Sequence, residues 1–203
     1  PMAIILTSLR NTVLAGFALA IVVLVVVGLV TTGYSLKFDT AFWTFVARWL
    51  HVVSGILWIG LLYYFNFVQI PSMPKIPDEQ KPAIGKVIAP AALFWFRWAA
   101  MSTIIFGILL ALLQEYFVNA VLLGIISKTP NHTMIGIGIW LGSIMWFNVW
   151  FVIWPNQQKA LGMVEATADQ KKAAARTAML FSRTNTMLSV PMLYAMIATQ
   201  SAY

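Results

Sequence analysis

Residues 51–71 read HVVSGILWIGLLYYFNFVQIP. About twenty mostly apolar residues run from a histidine to a cluster of tyrosine, asparagine and glutamine, closed by Pro71. A helix of that length rises about 30 Å, the thickness of a bilayer's hydrocarbon core. The stretch therefore points to an all-α integral membrane protein, and it raises a chemical question. His51 stands at one end and Tyr63, Tyr64, Asn66 and Gln69 at the other, either as interfacial anchors or as parts of a ligand site.

The rest of the chain agrees with the membrane reading. Of its 203 residues, 61% are hydrophobic and only 9% charged, and the mean hydropathy is +0.83. Soluble domains carry about a quarter charged residues. The net charge of +7 therefore reads as a topology determinant and not as a nucleic-acid footprint. The absence of cysteine excludes disulfides, thiolate metal sites, iron–sulfur clusters and a covalently attached haem. The apolar stretch after Arg10 is longer than a signal-peptide core and lacks a small-residue cleavage site, so it reads as a retained helix.

A bundle of about five transmembrane helices is expected in one domain covering 1–203, with spans at about 11–32, 42–69, 90–113, 133–154 and 180–200. Pro90 suits a first helical turn, Thr133 a helix cap, and Pro155 closes the fourth apolar run. The stretch between the third and fourth spans, cut by Pro130, reads as a short interfacial or re-entrant helix, or as a continuation of the third helix to Ile126. MPKIPDEQKP, residues 73–82, reads as a solvent loop. Thr167 followed by Gln170 fits a capping box, so the fifth helix starts well outside the bilayer, on the cytoplasmic side. Ten of the thirteen basic residues then fall on one side, which the positive-inside rule makes cytoplasmic. The expected orientation is N-terminus in and C-terminus out, in a bacterial inner membrane.

Helix faces refine this picture. Ala99, Thr103, Gly107 and Ala111 recur at i+4 as a small-residue stripe, and Ala47, His51 and Gly55 share a line on the second span. Small residues let membrane helices approach closely, so His51 is expected to point into the bundle. His51 and His132, the only histidines, fall on the outer side and are the haem or metal candidates, with a b-type haem compatible with two histidines at one level. The inner side holds the substrate or anion candidates Arg97, Asn148, Arg183, Asn185 and Asn66. Two arginines and several amides at one depth suit a planar anion, while arginines near that interface also snorkel to lipid phosphates.

Three stretches, HVVSGILWIGLLYYFNFVQIP, IMWFNVWFVIWPNQQK and SRTNTMLSVPMLYAMIA, together resemble the membrane domain of the bacterial membrane-bound urate oxidase (urate hydroxylase) family. The resemblance covers roughly residues 42–198. It implies a redox context, with urate oxidised and electrons passed to a cytochrome c. Depth and chemistry, not the resemblance, place that oxidation at the cluster of Arg97, Asn148, Arg183 and Asn185. That family joins its membrane domain to a C-terminal cytochrome c domain, which is not expected here. Three functions follow: a membrane subunit working within a redox assembly beside other membrane subunits, a urate-oxidising module served by a separate cytochrome c, and a small anion carrier.

Overall fold

The computed structural model describes residues 5–31 and 37–201, and side chains within 5–28 and 37–200. The expected end of the first span, at residue 32, and the terminal Tyr203 lie outside these. Every regular element among the described residues is helical. Helix α1 is Leu9–Thr31 and α2 is Thr40–Tyr63. Helix α3 is Ala89–Leu113, α4 is the short Phe117–Val121, α5 is Pro130–Phe147 and α6 is Ala168–Ser201. The chain divides into two compact units, Pro1–Trp43 and Thr44–Tyr203. The first holds α1, whose apolar side chains are largely exposed, and every candidate site residue belongs to the second.

Four helical stretches are long and apolar enough to cross a membrane: Leu9–Gly28, Thr40–Lys75, Lys81–Leu113 and Pro130–Ala160. The fifth expected span, on α6, is not among them. Helix α6 carries the polar run Ser182–Arg183–Thr184–Asn185–Thr186 near the middle of its 34 residues. Between the third and fourth expected spans lies the short helix α4, and the third helix ends at Leu113 instead of continuing to Ile126. The capping box also forms: Thr167 N donates to Gln170 Oε1 at 2.9 Å, and Gln170 N to Thr167 Oγ1 at 3.3 Å.

The helices run further than their prolines suggest. Proline has no N–H to donate, and its ring crowds the carbonyl four residues earlier. Here each helix opens into a π-helical turn just ahead of the proline, at Tyr64–Gln69, Ile84–Ile88 and Asn148–Ile153. The residue before each proline bonds five residues back: Ile70 N to Phe65 O, Ala89 N to Ile84 O, and Trp154 N to Val149 O. The wider turn makes room for the ring, and the helix passes through. So Pro90 does not start its helix, which begins at Lys81, and Pro155 does not end its helix, which continues to Ala160. Thr133 is no cap either. The helix starts at Pro130 after an extended Thr129, and Thr133 Oγ1 bonds Leu123 O at 2.8 Å.

Small residues set the helix contacts. On α2 and α3, Gly55 lies 3.9 Å from Thr103 Cγ2, measured from where its Cβ would be, and Ser54 Oγ meets Ser102 Oγ at 2.7 Å. The most extensive pairing is α5 on α6, where Gly138 and Gly142 receive Met196 and Met192. Between the helices sits an apolar core centred on Trp58, Leu62, Phe96, Met145 and Val149. Phe65 packs edge-to-face on Phe96, their ring centres 5.6 Å apart.

Candidate functional site

Three polar constellations occupy the second unit. The first joins α2, α5 and α6. On α6, Ser182, Asn185 and Ser189 are buried at i, i+3 and i+7, so they share one face over about 10 Å. Each meets a partner from a neighbouring helix. Asn148 Nδ2 donates to Asn185 Oδ1 at 2.8 Å, and Asn185 Nδ2 donates to Met145 O at 2.9 Å. Asn66 Nδ2 donates to Ser182 Oγ at 2.8 Å and to Leu62 O at 2.9 Å. Ser189 Oγ gives its proton to Thr186 O at 2.7 Å, so Tyr63 is the donor in the 2.9 Å Tyr63–Ser189 bond. The result is a ladder of three rungs. Asn185 and Ser189 have no exposed surface at all, and Asn66 Oδ1 is buried without a partner.

Chemically this is an interhelix clamp. Asn185 has both ends of its amide engaged, and the two hydroxyls bonded by Asn66 and Tyr63 lie buried on the same face. Such bonds in a membrane contribute about 0.6 kcal/mol each, up to about 1.7. Three of them fix the register of α6 against α2 and α5. The wide turns take part in this, because Asn66 lies within one and Asn148 opens another.

The second constellation is Arg97 and its tryptophans. The helix places Arg97 where its guanidinium carbon sits 3.3 Å over the Trp154 ring and 5.9 Å from the Trp150 ring centre. Trp98 meets Trp150 edge-on at 5.4 Å. A guanidinium this close to an indole lies flat on it, a strong form of cation–π contact. Its N–H bonds then point outward in the plane of the group. Nε and Nη1 are buried without an acceptor, and so is Trp150 Nε1.

The third comprises the two histidines expected on the outer side. His51 Nδ1 lies 2.8 Å from Thr103 O, so that nitrogen carries the proton and Nε2 keeps the lone pair. The ring rests against Gly107, close enough that a Cβ there would stand 3.0 Å from His51 Cε1. An imidazole fixed in this tautomer is the residue that would hold a metal or haem, through Nε2. His132 is held elsewhere, by Ser127 Oγ at 2.8 Å and by stacking on Tyr116 with ring centres 6.4 Å apart. No group of three or more His, Cys, Asp or Glu side chains is assembled among the described residues.

The structure thus brings together three of the five expected inner-side residues, Asn66, Asn148 and Asn185. Arg97 has its own aromatic setting. Arg183 is exposed, one residue and so 100° around the helix from the buried Ser182. Ser182 and Ser189 belong to the ladder without having been expected there, and Tyr63 joins it from the polar end of the 51–71 stretch. The i, i+3, i+7 spacing of Ser182, Asn185 and Ser189 was the available signal.

Comparison with known families bears on the ladder directly. Residues 127–203 match the family model described as urate oxidase N-terminal. The match covers less than half of the chain and makes that segment similar to the N-terminal region of the urate oxidase family. The matched segment takes in α5 and α6, and with them Asn148, Ser182, Asn185 and Ser189. Tyr63, Asn66, Arg97 and His51 lie before it. No curated protein and no solved structure matches the chain.

Proposed function

We propose that this chain is a membrane subunit related to the urate oxidase membrane domain, working within a redox assembly of a bacterial inner membrane. The observation that carries the reading is the ladder. Four polar residues of the family-like segment, Asn148, Ser182, Asn185 and Ser189, are spent on holding helices together, with Asn185 fully buried and bonded at both ends of its amide. A site that turns over substrate needs groups free to touch it. In this reading α6 is the fifth span, its polar face turned inward, with the N-terminus cytoplasmic and the C-terminus periplasmic. The partners are other membrane subunits and a cytochrome c that takes the electrons, and a haem or metal would attach at His51 Nε2.

A second reading draws on Arg97. Its buried, unpaired N–H groups suit a planar anion, which is what a urate-oxidising module or an anion carrier needs. Affinity isolation of the tagged chain from its native membrane separates these readings. The expected result is recovery in fixed stoichiometry with redox-active subunits, and no urate-dependent reduction of cytochrome c by the chain alone. Turnover by the isolated chain would establish the module instead, and uptake of labelled urate into vesicles the carrier.

A further inference from the structure

Arg97 carries a positive charge that nothing in the described structure answers. The one ion pair among the described residues is Lys81 with Asp78. All six acidic residues of the chain, Asp39, Asp78, Glu79, Glu115, Glu165 and Asp169, lie outside the apolar spans. Trp154 takes one face of the guanidinium, but a ring face accepts no conventional N–H bond along the guanidinium plane. Two N–H groups of Arg97 and the indole N–H of Trp150 are therefore buried donors without acceptors. Leaving such donors unpaired forfeits their hydration with nothing in return, and the loss is larger for a charged group. Native structures avoid this, so a missing acceptor is the physical expectation.

What supplies it is constrained by the surroundings. The need is for oxygen acceptors and negative charge together, which is an oxyanion. The rings beside Arg97 are turned outward: Phe94, Trp95 and Trp98 are 48%, 53% and 50% exposed. In a helix of bilayer-spanning length, outward-facing aromatic residues meet lipid, and exposed indoles gather at headgroup level. Arg97 is the central residue of Lys81–Leu113. But Trp154, on which its guanidinium lies, stands just before the polar run Asn156, Gln157, Gln158 and Lys159 at the end of the apolar stretch Pro130–Ala160, which sets the charged group toward that end.

We propose that Arg97, Trp150 and Trp154 form a seat for one phosphate-class oxyanion, the headgroup phosphate of an anionic phospholipid. Arg97 donates through the edge of its guanidinium, Trp150 adds its indole N–H, and Trp154 holds the guanidinium flat. Arginine is suited where lysine is not, because only the planar group stacks and donates at once. Arg97 takes no part in the ladder and lies before the matched residues 127–203, whereas Trp150 and Trp154 lie within them.

The test uses the full chain in a phosphate-free detergent, with native mass spectrometry after addition of phosphatidylglycerol and thermal unfolding with inorganic phosphate. One phosphatidylglycerol retained per chain is expected. Retention should fall roughly tenfold in Arg97→Gln and several-fold in Arg97→Lys, a loss matching charge-assisted hydrogen bonds. Arg183→Gln, which removes an exposed charge, should leave it unchanged. A rise in unfolding temperature with inorganic phosphate, abolished by Arg97→Gln and without retained lipid, would keep the oxyanion seat and assign it to free phosphate. Equal retention by wild type, Arg97→Gln and Arg97→Lys, or stabilisation by urate but by neither phosphate source, would overturn the proposal.

Discussion

A Cβ at Gly107 would stand 3.0 Å from His51 Cε1 and 3.1 Å from Nδ1, so one methyl group decides whether the imidazole keeps its place. Gly107→Ala is expected to push His51 away from Thr103 O and to destabilise the protein by about 1–3 kcal/mol, read in denaturant unfolding. Asn148→Ala removes one rung and leaves Asn185 Oδ1 buried without its donor, at a cost of about 1–2 kcal/mol. A double-mutant cycle with Asn185 should show these two effects to be strongly non-additive. Tyr116 offers a pH readout. Burial holds its hydroxyl proton on beyond the ordinary tyrosine range, with Arg48 pulling weakly the other way. A group whose folded pKa is raised contributes stability that is complete below its unfolded value, near 10, and is lost as pH rises through the folded one. Tyr116→Phe should therefore flatten the alkaline limb of the stability profile, which thermal unfolding across that limb would measure.

At the level of elements, prolines and helix ends govern what could be read in advance. The apolar runs were legible because a bilayer demands about twenty apolar residues whatever the neighbours do. The boundaries were not. A proline reads as a start or stop, and only the π turn ahead of it shows that the helix absorbs it, as at Pro71, Pro90 and Pro155. Hydroxyls posed a similar difficulty. Ser182 and Ser189 look ordinary along the chain, and what distinguishes them is burial on the same face as Asn185. Arg183 looked like a partner by depth but lies 100° around the helix. Helix α3 ends with Glu115 in the left-handed region, at φ 59°, where Tyr116 N reaches back to Ala111 O. Such a position favours glycine, so Glu115→Gly is expected to raise stability by about 1 kcal/mol in the same unfolding assay.

Across the whole molecule, the second unit is a helical bundle clamped by buried amides and hydroxyls, with a stacked arginine and an anchored histidine beside them. The amide pair Asn148–Asn185 lies inside the segment that matches the urate oxidase N-terminal family. If those residues serve to hold helices, their chemistry is dispensable provided their shape is kept. Replacing both buried partners with apolar groups of similar size costs far less than removing one. The decisive measurement is redox turnover per assembled complex carrying Asn148→Leu together with Asn185→Leu. An account in which the ladder is a clamp predicts a complex that assembles with wild-type turnover. A complex that assembles in normal stoichiometry but has lost its turnover would contradict it.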